Sequence, residues 1–209
     1  MPKYFILLFY FFCSNAIAQT LKFDVVASYS IKNSKFTDTS TVFGVSTNSN
    51  YFMRITNNPN GSQSALVYDI SLLKQYHYNI KPVASEIGET VFYFEYIDQR
   101  NFKRSKNGKY DFEFKSVSTT DSIENVKLQC LTNIENRKET KKYDLQIKKS
   151  DVNYFYLFRV ACMHALEFLP NFNYENPGIV TSCVSEKNSS VFNLITFEDA
   201  NLSVTLPSN

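Results

Sequence analysis

The chain has 209 residues, with 22 Lys and Arg against 20 Asp and Glu and a formal charge of +2, a balance too even for the clustered basic excess of a nucleic-acid binder. Its 44% hydrophobic content, carried by 19 Phe and 14 Tyr with no Trp, is enough to bury a core and excludes an intrinsically disordered chain. The length suits one domain rather than two.

Residues 1–18 read as an export leader. Lys3 precedes the apolar run "YFILLFYFFC", and Ala16-Ile17-Ala18 supplies the small side chains that a signal peptidase accepts, so cleavage is expected before Gln19. The run falls short of the roughly 20 apolar residues that cross a bilayer. Residues 19–209 are therefore expected to form a single exported domain, periplasmic or secreted. A rival start, lipidation at Cys13, is disfavoured because Phe12 stands where such processing requires a small residue.

From Gln19 onward the beat is two. In "LKFDVVASYSIK" Leu21, Phe23, Val25, Ala27, Tyr29 and Ile31 share one parity, the pattern of an antiparallel strand with one wet face. "STVFGVSTN" and "NYFMRITN" continue it, and a turn at Asn58 to Gly61 leads to "SALVYDIS" and "KQYHYNI". The aromatic "TVFYFEYID" is expected to pair with "KYDFEFKSV" across Asn107-Gly108, the strongest two-residue hairpin signal in the chain. "NVKLQCLTN", "KKYDLQIKK", "SVFNLITFE" and "NLSVTL" complete a run of ten to twelve short strands.

One segment breaks the beat. "NYFYLFRVACMHALEFLP" places Phe155, Phe158, Cys162, Leu166 and Leu169 at helical spacing, with Arg159, His164 and Glu167 toward the other side and Pro170 beyond the end. A single helix is expected there, on the concave face of the sheet, since nothing else in the chain covers so wide an apolar arc.

The residues for chemistry are few. Two histidines, His77 and His164, dispersed glycines, and no CxxC, HxxxH, HExxH or GxSxG pattern argue against metal, phosphate-loop and hydrolase chemistry; no cofactor is expected. Cys162, His164 and Glu167 are the closest thiol, imidazole and carboxylate, but residues two apart on a helix point about 200° from each other, which keeps Cys162 from His164. The chain therefore reads as non-enzymatic, a thiol-dependent activity at Cys162 being the exception to test.

Cys130, Cys162 and Cys183 remain after cleavage. An odd count leaves three single pairings, or no bridge at all. Among the pairings Cys162 with Cys183 is favoured, its loop closure contributing about 3 kcal/mol; Cys130 reads equally well as a buried reduced thiol. Arg100, Lys103, Arg104, Lys106 and Lys109 cluster around the "SKNGK" turn. Such a basic tip suits a solvated hairpin end or contact with an acidic partner or anionic headgroups.

The stretch "YENPGIVTSCVSE" carries Pro177-Gly178-Ile179-Val180, which resembles the Pro-Gly-Leu-Ile core of the GLPGLI family of exported Bacteroidota proteins. "YFMRI", "ALVYDISLLKQYHYNI", "NVKLQC" ending at Cys130, and "SSVFNLITFED" follow the family's strand order over most of Phe52 to Asp199. Glu175-Asn176 replaces the leading Gly-Leu pair, and the tryptophan common in the family is missing. The resemblance implies a curved, unclosed antiparallel half-barrel like that of the LolA-type lipoprotein carriers, which agrees with the strand pattern.

The functional expectation is a module holding an apolar or lipid-like ligand between helix and sheet, lined by Phe158, Cys162 and Phe168. The alternative is an envelope protein-protein module that docks through a sheet edge or the basic tip. No nucleic-acid partner is expected.

Overall fold

The alternation at Leu21, Phe23, Val25, Ala27 and Tyr29 produces β1 (Thr20–Lys32), all five of these side chains being buried and their neighbours half-buried or exposed. The structure, a computed structural model, describes residues 19–58, 60–84, 90–103, 110–132, 139–164, 166, 168–169, 171–187 and 189–207. After β1 come β2 (Thr37–Gly44), β3 (Tyr51–Asn57), β4 (Gln63–Asp69), β5 (Lys74–Ala84), β6 (Thr90–Asn101), β7 (Tyr110–Thr119), β8 (Ile123–Thr132) and β9 (Glu139–Lys148). The helix α1 (Phe155–Cys162), β10 (Ile179–Ser185) and β11 (Val191–Thr205) follow.

The described strands form one unclosed antiparallel sheet in the order β6-β5-β4-β3-β2-β1-β11-β10-β9-β8-β7. This is the curved half-barrel expected from the strand pattern. Two local expectations change. Asn107-Gly108 lies outside the described residues, but the strands on either side of it do not pair as the expected hairpin, because β6 and β7 are the two opposite edges of the sheet. The last two expected strands are one, β11, whose partners on β1 jump from Leu202 opposite Phe23 to Asp199 opposite Val25. The extra residue bulges at Ala200 and Asn201 and bends the strand instead of ending it.

Covalent reach requires the curl. Eleven flat strands would hold the edges about 48 Å apart at about 4.8 Å per spacing. Yet Asn101 at the end of β6 and Tyr110 at the start of β7 are joined by a stretch that spans at most about 30 Å.

The helix fills the trough this creates. Seven of its eight residues, all but Arg159, are buried, so it is apolar on nearly every side, as a core helix must be. It is shorter than the periodicity suggested, for after Cys162 the chain continues through successive three-residue turns, Leu166 N–H to Met163, Leu169 to Leu166 and Phe172 to Leu169. The tighter winding still directs Leu166, Leu169 and Phe172 inward. Helix and turns pack on Tyr29, Val42, Phe52, Leu128, Leu145 and Val180 in the main core. The turns also tie the two halves of the sheet together. Phe168 meets Phe102, just past β6, at 4.7 Å between centroids, and Phe172 meets Phe112 of β7 at 4.5 Å.

A second core lies on the opposite face of β3 to β5. Met53, Ala65, Val67, Tyr76 and Tyr78 are covered by Leu21 and Phe23 from the start of β1 and by Val204 and Leu206 from the chain end. The Tyr78 hydroxyl donates to the Thr205 carbonyl at 3.1 Å. The wet face anticipated for these strands is thus buried, and the unbroken apolar runs "YFM" and "ALVY" are its signature.

Candidate functional site

On the outer face of the sheet, β2, β3, β5 and β6 present a row of apolar side chains. Register sets the row: Thr41 pairs with Ile55, Gln63 with Ile80, and Ile80 with Phe94. Phe43 lies two residues along from Thr41 and so on the same face. The β11 bulge brings Asp199 to Leu202 against this row, closing a groove of about 480 Å³. Its floor is Phe43, Ile55, Ile80, Phe94 and Leu202; Gln63, Asp199 and Asn201 supply the polar groups. Phe92 stands at its edge with 55% of its surface exposed. A groove of this size, mostly apolar with a few polar groups, has the dimensions of a small-molecule site.

The residues anticipated as a ligand lining lie elsewhere. Phe158 is fully buried, edge-on to Tyr29 at 5.7 Å and to Phe192 at 6.2 Å. Cys162 is buried beside it in the main core, and half-buried Phe168 stacks among Phe52, Tyr68 and Phe102. These three fill space between helix and sheet. The groove was legible only in part, in "VFYF" of β6, where aromatics occupy both parities so that one face had to meet either solvent or a partner.

Cys130, Cys162 and Cys183 are all free thiols and all buried. The bridge favoured between Cys162 and Cys183 is therefore not formed in this structure, although each thiol is surrounded by the same core. Burial pushes the Cys130 thiol up to about 11, against the opposing pull of Lys141. Burial, reinforced by Cys183, pushes Cys162 up further. That is the reverse of the lowered pKa an attacking thiolate requires. His164 is exposed and hydrogen-bonds Arg54, while Glu167 lies outside the described residues.

Of the basic tip, Arg100 is exposed and chelates Asp98 at 2.7 and 3.2 Å, and Lys103 is exposed. Arg104, Lys106 and Lys109 lie outside the described residues. His77 sits 4.0 Å from Asp98 across the β5 and β6 pair. Among the described residues no group of three or more His, Cys, Asp or Glu is placed to hold a metal, and no helix is long and apolar enough to cross a membrane. No protein-family model matches the chain, and no curated protein matches it.

Proposed function

We propose that this chain is an exported, non-enzymatic module that binds an apolar, lipid-like ligand in the outer groove of the sheet. The observation that carries the reading is the groove itself, about 480 Å³ floored by Phe43, Ile55, Ile80, Phe94 and Leu202 with Phe92 half in solvent at its edge. Apolar side chains left open beside a concave surface are the signature of a surface that something else covers. The resemblance to the GLPGLI family and the half-barrel form support the same reading, with the ligand moved from the inside of the trough to its back.

A fluorescent polyene fatty acid titrated into the purified chain from Gln19 onward is expected to bind saturably. Phe43→Ser and Phe94→Ser each remove about 1.5–3 kcal/mol of apolar contact, so each weakens binding about tenfold or more. A non-saturable signal, or one that neither substitution changes, sinks the proposal. A second reading, a protein-docking module, draws on the edge strand β6, which exposes Phe92, Tyr93, Tyr96 and Ile97. In-cell crosslinking from Tyr93 separates the two, since docking requires one persistent partner there.

A further inference from the structure

The outer groove is built to distinguish the head of a ligand as well as to hold its tail. Among the described residues that line it none is Lys, Arg or His, and its one ionisable side chain is Asp199. The register adds a second acid at its border. Glu198 pairs with Val26, which lines the groove, and residues directly opposite in an antiparallel pair project from the same face. The basic side chains next to the floor in sequence are turned away by the two-residue period. Lys81 follows Ile80 and meets Glu95 at 2.8 Å on the other face, and Arg54 precedes Ile55 and reaches Tyr68 there. The groove is thus negative in a chain whose formal charge is +2.

What it offers a polar head is neutral. Gln63 gives one amide N–H to Asn57 Oδ1 at 2.9 Å, which leaves its carbonyl oxygen and its second N–H for another partner. Asn201 stands exposed on the β11 bulge, and its side-chain amide makes no hydrogen bond among the described residues. The Thr41 hydroxyl is already paired with Ser28 at 2.9 Å. Two amides that both donate and accept suit a hydroxyl, ester or amide head. A carboxylate or phosphate head would lose solvation beside two acids and gain no countercharge.

We propose that the groove selects an amphiphile with an uncharged, hydrogen-bonding head, such as an acylglycerol, over an anionic one with the same chain. This selectivity presupposes that the groove is the ligand site and adds the charge of the head to that reading.

Two ligands with one fluorescent polyene chain, the free acid and its monoacylglycerol, are titrated at neutral pH into the chain from Gln19 onward. The monoacylglycerol is expected to bind about fivefold tighter, the size of a surface charge interaction at low salt. Added salt narrows the gap. Glu198→Gln combined with Asp199→Asn brings the acid close to the ester, and Asn201→Lys, at an exposed position, reverses the order. Because the chain as a whole is positive, its net charge favours the acid, and a preference for the ester has to arise locally. Equal affinities, an acid that binds tighter, or a ratio that the double variant or Asn201→Lys leaves unchanged overturns the selectivity while the groove stands as the site. If neither ligand binds saturably, or if Phe94→Ser weakens neither, the groove itself is the wrong site and the selectivity falls with it.

Discussion

Gly178 occupies a backbone conformation, φ +154°, that side chains rarely adopt, and a Cβ there would stand 2.7 Å from Ile147 Cγ2 and 2.8 Å from the Lys148 carbonyl oxygen. Its N–H donates to Val152 and its carbonyl accepts from Tyr154, forming a parallel bridge opposite Asn153. One residue therefore fastens the entry of the helix to the entry of β10. Gly178→Ala is expected to destabilise the fold by at least the cost of a strained backbone, about 1–3 kcal/mol, read from the midpoint of urea unfolding; an unchanged midpoint contradicts this account. The need for glycine after Pro177 was legible in sequence. The atoms that impose it, on β9, are 30 residues away and were not.

At the scale of elements, Glu124 joins β8 to the stretch that follows the helix. Burial works against its ionisation, but hydrogen bonds from Tyr174, Ser116 and Asn176, with the charge of Lys149, outweigh that and hold its carboxyl below the ordinary value. Tyr174, pushed up by burial and by this carboxylate to about 12, stays the donor. Because folding lowers the Glu124 value, the unfolded chain takes up the proton first as pH falls. The stabilisation is therefore complete above the ordinary glutamate value of 4.5 and is lost as pH drops through the lower folded value. Glu124→Gln is expected to flatten the acid side of the stability curve, measured by urea unfolding across that range, and an acid limb of unchanged slope counts against the assignment. Most strands were readable from their alternation. The helix end and the β6 to β7 connection were misjudged for one physical reason: periodicity and turn residues describe local preference, whereas strand partners are chosen by what else the chain must cover.

Across the whole molecule, the three thiols report on the core that helix, turns and sheet make together. Cys130, Cys162 and Cys183 are buried in it, and burial raises the pKa of each. Their reaction with an aromatic disulfide reagent is expected to be slow in the folded chain from Gln19 onward, and to accelerate together with the global unfolding transition. A thiol that reacts rapidly under native conditions contradicts the solid packing described for the trough. This packing also explains why the anticipated lining at Phe158, Cys162 and Phe168 sits in core. The aromatic payload of "NYFYLFRVACMHALEFLP" is large enough to fill the curl, so the open apolar surface is left on the back, at Phe43, Phe92 and Phe94.

The amino-acid order by itself determined the β class, the helix before β10 and the glycine that follows it, because each follows from side-chain period or backbone freedom within a dozen residues. Only the tertiary structure decided that β6 and β7 become opposite edges, that β3 to β5 are buried on both faces, and that a bulge at Ala200 closes a groove. Those outcomes depend on contacts between residues far apart in the chain, such as Phe23 with Leu202. A local pattern states which face of a strand is apolar, and the curl of the assembled sheet determines what that face meets.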